Sequence, residues 1–221
     1  MTIGLFPLNL VLFPHTQVPL HIFEPRYRTL INESLATGVE FGINLVDQGH
    51  LHQVGCLAKV VDVTERFTDG RLDIIIEGTR RFRLIDVEEG EQPYVVGHIE
   101  YVDDEPMPID PSLVAECANL HNQIIDLVYG RSGPYFDPSY IGDKPASFLI
   151  APKAGLAADQ KQQLLELTTE NARLELLRDH LAAMVPTVRK AEMMQRIIRS
   201  DGYIISEDGG RRTEDDEDGG R

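Results

Sequence analysis

A chain of 221 residues that is 42% hydrophobic holds enough apolar material for a buried core, in one large domain or two small ones. Its formal net charge of -15 opposes nucleic-acid phosphates and anionic lipid wherever no local basic patch intervenes. Two cysteines, Cys56 and Cys117, are too few for a disulfide framework and fit a reducing compartment, with the cytoplasm as the default. The apolar opening Ile3 to Phe13 has no Lys or Arg before Arg26 and is interrupted by Pro7, so it does not read as a signal peptide. No run approaches the ~20 apolar residues of a membrane helix.

From Met1 to about Val102, β-branched segments alternate with Gly, Asp and Pro, which predicts strands and tight turns. A helix interrupts them: Pro25 suits a first turn, Tyr27, Leu30, Ile31 and Leu35 follow at helical spacing, and Gly38 ends it. Asp69-Gly70 favours a turn with positive φ and joins two strands, Lys59–Val63 and Leu72–Glu77. Leu72, Ile74 and Ile76 share the face expected to be buried. Phe82 and Leu84 then alternate with Arg81 and Arg83, and Tyr94 to Val102 supplies a further strand. Several short strands in succession predict a small β-barrel with an inserted helix, over residues 1–105.

Asp103-Asp104-Glu105-Pro106-Met107-Pro108 breaks the pattern and is read as a solvated boundary. Beyond it Leu113, Cys117, Leu120, Ile124 and Leu127 form one helical stripe closed by Gly130. Asp159 is read as the cap of a helix carrying Leu164, Leu165 and Leu167. Leu174, Leu177, Leu181 and Met184 mark another, which Pro186 is expected to separate from a last segment with Ala191, Met194 and Ile198. Residues 106–206 therefore read as a helical bundle. Residues 207–221 are Gly and charge without an apolar side chain and read as a disordered acidic tail.

Chemistry is sparsely signalled. No phosphate-cradling Gly-Lys-Ser/Thr loop and no Gly-x-Ser-x-Gly elbow occurs, so neither an ATPase nor a hydrolase is nominated, and no cofactor is expected. Gly130-Arg131-Ser132-Gly133 reads as an ordinary loop. His50 and His52 with Cys56 have a spacing compatible with metal ligands, but no second ligand pair accompanies them. Cys56 and Cys117 are both in phase with apolar neighbours and read as core.

The most distinctive stretches are Phe6-Pro7-Leu8-Asn9-Leu10-Val11-Leu12-Phe13-Pro14 and Pro19-Leu20-His21-Ile22-Phe23-Glu24-Pro25-Arg26-Tyr27. Phe41-Gly42, Gly55-Cys56-Leu57-Ala58, Asp69-Gly70-Arg71 and Glu77-Gly78-Thr79-Arg80-Arg81-Phe82 follow in order. On these motifs the chain resembles the substrate-binding domain that begins Lon-type proteases, across nearly its whole length except the tail. The resemblance implies an α+β fold, a PUA-like small β-barrel followed by a C-terminal helical bundle. It also implies a non-enzymatic, stand-alone module that recognises unfolded or tagged polypeptides, with a protease or chaperone as partner, and binds neither nucleic acid nor membrane. It supplies no firm ligand residues. His21, Phe23, Glu24, Arg26, Arg80 and Arg81 are the candidates for a peptide-binding surface, because polar groups beside an aromatic ring orient a peptide while apolar contact supplies affinity. The competing reading is a buried network tying strand to helix. A nucleic-acid role by analogy with other PUA-like barrels, and an enzyme with an unrecognised pocket, are the alternatives.

Overall fold

The computed structural model describes residues 1–88, 92–130 and 133–199. The expected tail lies outside these residues, as do Arg131 and Ser132 of the Gly-rich turn. The chain is a mixed α+β fold. Among the described residues six strands form: β1 (Thr2–Leu8), β2 (Gln17–Ile22), β3 (Phe41–Asp47), β4 (His50–Arg66), β5 (Leu72–Glu88) and β6 (Val96–Tyr101). Helix α1 (Pro25–Thr37) lies between β2 and β3. The sheet runs β2-β5-β4-β3-β1-β6, and β6 pairs with β5 as well as β1, so that five strands follow one another in a closed ring. Among the strand pairings of the described residues β1–β3 alone is parallel, and an isolated parallel bridge joins Pro14 to Gly78.

The turn expected at Asp69-Gly70 is present, with Gly70 at φ 87, but the strands flanking it are far longer than their apolar runs, at 17 residues each. Register shifts at three places along β4–β5 bend this hairpin and let it serve two faces of the core. Gly78 sits where the hairpin passes the Phe6–Phe13 segment, and a Cβ there would stand 2.2 Å from the Phe13 carbonyl oxygen. Close backbone approach is what this position demands.

Helix α1 begins at Pro25 and ends at Gly38, whose φ of 73 lets its N–H reach the Ser34 carbonyl. Its buried face is Tyr27, Leu30, Ile31 and Ser34, while Leu35, expected inside, is exposed. Ser34 can be buried because its hydroxyl donates to the Val39 carbonyl at 2.7 Å.

The remaining helices are α2 (Pro111–Tyr129), α3 (Ala146–Ile150), α4 (Ala158–Glu166) and α5 (Glu170–Arg199). Helix α4 is capped differently from the expectation: Ala157 is its N-cap residue, Gln160 accepts from the Ala157 N–H at 2.9 Å, and Asp159 lies in the first turn. Leu167, expected in that helix, is extended and ends it. Pro186 does not divide α5, which runs through it unbroken. The missing N–H costs one helical hydrogen bond, but Met184, Val185 and Val188 pack on the helical core around Pro186 and hold the helix across the gap.

Leu113, Cys117, Ile124, Leu164, Leu174, Leu177 and Leu181 share one apolar cluster with Phe13 and Val54 from the sheet region. Phe13 stacks on Phe148 with ring centroids 5.8 Å apart. The two halves of the molecule are thus joined by core packing. Among the described residues no helix is long and apolar enough to cross a membrane.

Candidate functional site

The six candidate residues fall into two separate places. His21, Phe23, Glu24 and Arg26 gather where β2 hands over to α1, opposite the tip of the β4–β5 hairpin. Register pairs His21 with Asp73 and Ile22 with Leu72, which brings the His21 imidazole Nδ1 to 2.5 Å from Asp73 Oδ1. The His21 ring lies 6.1 Å from Phe23 and meets Phe67 edge-on at 5.8 Å. Arg71 in turn covers Phe67 at 4.9 Å and is anchored by Asp69 at 2.7 Å. Phe23 is 59% exposed, a large apolar ring presented to solvent. Behind it Phe6, Leu8, Leu20, Ile22 and Tyr27 line a shallow hollow of about 80 Å³.

Glu24 and Arg26 pair with each other at 2.8 Å, and Arg26 lies 4.5 Å over the Tyr27 ring, which stacks on Phe6. Burial pushes the Tyr27 hydroxyl above its ordinary pKa, with the Arg26 charge opposing. The corner therefore offers an exposed aromatic ring, an apolar hollow, and charges already compensated by close partners. Such a surface can take apolar side chains while its polar rim orients a backbone.

Arg80 and Arg81 stand elsewhere on β5, facing the segment that leads to α2. Arg80 is exposed, clamps Asp103 at 2.8 and 2.9 Å and lies 3.8 Å over Tyr101. Arg81 is only 3% exposed, so it takes the competing role, a buried tie rather than a free surface. Its guanidinium donates to the Leu165 and Leu167 carbonyls at 2.7 and 2.6 Å and to Asp104. Asp104 also receives Arg173, which is fully buried and further held by Glu170 at 2.9 Å. Burial draws the Arg81 pKa below its usual value despite Asp104. Burial acts on Arg173 in the same direction, but hydrogen bonds and attraction from Asp104 and Glu170 outweigh it and raise the pKa. Asp103-Asp104, expected to be solvated, does reach solvent, with the Asp103 side chain 69% exposed, and the pair also accepts from three arginines.

Sequence reasoning missed Phe67 and Asp73 at the first place and Asp104, Glu170 and Arg173 at the second. For Asp73 the signal was available, since the hairpin face and the β2 pattern together bring it to His21. For Arg173 none was, because its partner Asp104 is 69 positions away.

His50 and His52 lie together with ring centroids 5.1 Å apart, but Cys56 is fully buried, and burial raises its thiol well above the ordinary range. Among the described residues no group of three or more His, Cys, Asp or Glu is placed to hold a metal ion.

Comparison with known proteins fits this geometry. The family described as the ATP-dependent protease La (LON) substrate-binding domain matches residues 2–183. The chain is 27% identical over 209 residues to Lon protease 1 of Hydrogenovibrio crunogenus, covering 86% of this chain and 24% of that protein. It is 34% identical over 147 residues to Lon protease of Parabacteroides distasonis, covering 62% of this chain and 17% of that protein. The chain thus spans about a quarter or less of these relatives, and the matched family is the substrate-binding domain rather than the catalytic domains. Among solved structures it resembles a Lon N-terminal domain protein from Xanthomonas campestris, with TM-score 0.63 and 26% identity over 80% of this chain and 96% of that one. The N-terminal domain of Mycobacterium avium complex Lon protease shares the fold at TM-score 0.60 and 18% identity, over 82% of this chain and 98% of that one. With the match running from residue 2 to residue 183, the chain belongs to the LON substrate-binding domain family.

Proposed function

We propose that this protein is a polypeptide-recognition or adaptor module of protein quality control. It binds exposed apolar segments of unfolded or tagged polypeptides, performs no catalysis itself, and works in the cytoplasm beside a protease or chaperone that acts on what it holds. The observation that carries this reading is the corner at Phe23, where a ring 59% exposed stands over an apolar hollow within a fold whose family is defined by substrate binding. Phe23, His21, Glu24 and Arg26 are the contact residues, with Arg80 as an outlying charge and Arg81 acting through the fold. The same reading takes residues 1–105 as a PUA-like barrel, on the strength of the closed strand ring, and residues from 106 as a helical bundle, on the strength of the shared apolar cluster.

The test is fluorescence anisotropy with a labelled unfolded peptide panel, beside assays of ATP hydrolysis and casein cleavage. Saturable binding with dissociation constants on the order of micromolar is expected, because an extended ligand loses conformational entropy on docking. An absence of saturable binding across a varied panel overturns the reading. So does ATPase or peptidase activity that survives repurification and is abolished by a point substitution in this chain.

A further inference from the structure

A second place on the molecule has the chemistry of a binding site. The β3–β4 ladder is regular at Asn44–Gly55 and resumes at Val46–Leu51, so β4 spends extra residues across the gap and bulges. Bulges re-aim side chains, and here five consecutive residues, His50 to Val54, line one cleft of about 490 Å³, which a flat strand with its alternating faces does not allow. The bulge is a built feature. Asn44 Nδ2 donates to the His52 carbonyl at 3.0 Å, and Gln162 Nε2 of α4 donates to the Val54 carbonyl at 3.0 Å. Gly55 permits the close passage, since a Cβ there would stand 2.5 Å from the Ile43 carbonyl oxygen.

Arg83 of β5 is paired with Val54 in register and lines the same cleft, and Glu166 of α4 lines it too, itself engaged by Gln162 Nε2 at 2.8 Å. Among the described residues Arg83 has no carboxylate within ion-pair distance, Glu100 on β6 being only its cross-strand neighbour, whereas Arg80, Arg81 and Arg173 all have carboxylates of their own. In a chain of net charge -15 the cleft thus presents a guanidinium and two imidazoles against one carboxylate that is already held. A guanidinium without a carboxylate partner is matched in shape and charge by a carboxylate, which it binds through two parallel N–H donors.

We propose that the cleft between the β4 bulge and α4 binds a carboxylate of the polypeptide ligand, with Arg83 as its ion-pair partner and His52 as a further donor. This rests on the polypeptide-binding reading and adds a polar anchor to the apolar contact at Phe23. A peptide's C-terminal carboxylate and an acidic side chain offer the same chemistry, and the experiment separates them.

The full chain is titrated by anisotropy with one labelled apolar peptide in three forms: free C-terminus, amidated C-terminus, and amidated with one internal Asp. Each is repeated with Arg83→Gln and Arg83→Lys, whose folding is checked by thermal melts. The expected result is about tenfold tighter binding of at least one carboxylate form than of the uncharged amide, since charge-assisted hydrogen bonds exceed neutral ones. Whichever carboxylate form is preferred identifies the source. Arg83→Gln abolishes the preference, Arg83→Lys restores part of it, and binding of the uncharged amide is unchanged throughout. If all three forms bind equally well, or the preference survives Arg83→Gln, the carboxylate site is overturned while polypeptide binding stands. If no form binds, both are overturned.

Discussion

Arg173 and Asp104 meet across 69 positions of sequence, and the Asp104 carboxylate that takes Arg173 also takes Arg81 from the sheet. Three elements are thereby tied by one side chain: β5, the segment after β6, and α5. Both guanidiniums also donate to the Leu167 carbonyl at the end of α4. Buried charges are tolerable only when compensated in this way.

Replacing Asp104 by Asn leaves two buried guanidiniums with too few acceptors of the right charge. Breaking a buried pair by removing one partner costs about 3 to 5 kcal/mol. Chemical denaturation of Asp104→Asn is therefore expected to show a loss of that order, and Arg81→Ala a loss of similar direction. A change within experimental error in both variants contradicts the tie.

The contrast between Phe23 and Arg81 gives a second expectation. Phe23 is exposed and makes no core contact that burial would reward, so Phe23→Ala should leave the thermal midpoint nearly unchanged while weakening peptide binding. Arg81→Ala should do the reverse and act on stability first. Truncating a Phe in a core costs roughly 3 to 5 kcal/mol, so a large fall in melting temperature for Phe23→Ala refutes its placement on a surface.

How much of this was legible beforehand depends on distance along the chain. Gly38, Gly70 and Gly130 end or turn their elements where the sequence places them, because a positive φ is a local demand met by the local residue. The stripe Leu113, Cys117 and Ile124 is likewise visible in the spacing and buried as spaced. Which strands β6 joins was not legible, since pairing of Thr2 with His98 leaves no mark near either residue. At the candidate site Phe23 and His21 were singled out as an aromatic ring beside a polar group, whereas Asp73 beneath His21 becomes visible only when the β2 pattern is laid against the hairpin face. The adjacent pair Arg80 and Arg81 looks alike in sequence, yet Arg80 is exposed while Arg81 is buried beneath the Leu165–Leu167 turn and Phe148, partners that lie far along the chain.

Gly78 offers a steric test. An added Cβ at 2.2 Å from a backbone oxygen cannot be accommodated by a side-chain rotation, so the Phe6–Phe13 segment or β5 must shift. Overpacking of this kind costs typically ~1 to 3 kcal/mol. Gly78→Ala should lower the denaturation midpoint accordingly, whereas Gly38→Ala, with open space around it, should suffer only the penalty of its positive φ.

The thiols should be inert in the folded protein. Burial raises the Cys56 thiol above its ordinary pKa and pushes Cys117 up to about 11, so little thiolate exists near neutral pH. Iodoacetamide should modify neither cysteine until denaturant is added. Rapid alkylation of the native chain at Cys56 or Cys117 runs against their burial.

His121 supplies the last expectation, on pH. It is 3% exposed, its Nδ1 has no hydrogen-bond partner among the described residues, and its ring meets Phe136 edge-on. Burial lowers its pKa below the ordinary value, and the Lys153 charge adds to the effect. In the unfolded chain the imidazole takes up a proton near ~6.5, while in the folded chain it resists doing so until lower pH. The unfolded state then binds more protons, so the stabilising contribution is complete above that ordinary value and is lost as pH falls toward the folded one. His15, lowered by burial and by Lys144, acts with the same sign. The carboxylates of Glu77, Asp110 and Asp137, lowered mainly by hydrogen bonds, contribute in a separate and more acidic window. Urea denaturation between about pH 7.5 and about pH 5.5 should therefore show the wild type weakening across the imidazole range, and His121→Gln should flatten part of that slope. An unchanged slope in His121→Gln means that His121 is not the group whose protonation the fold resists.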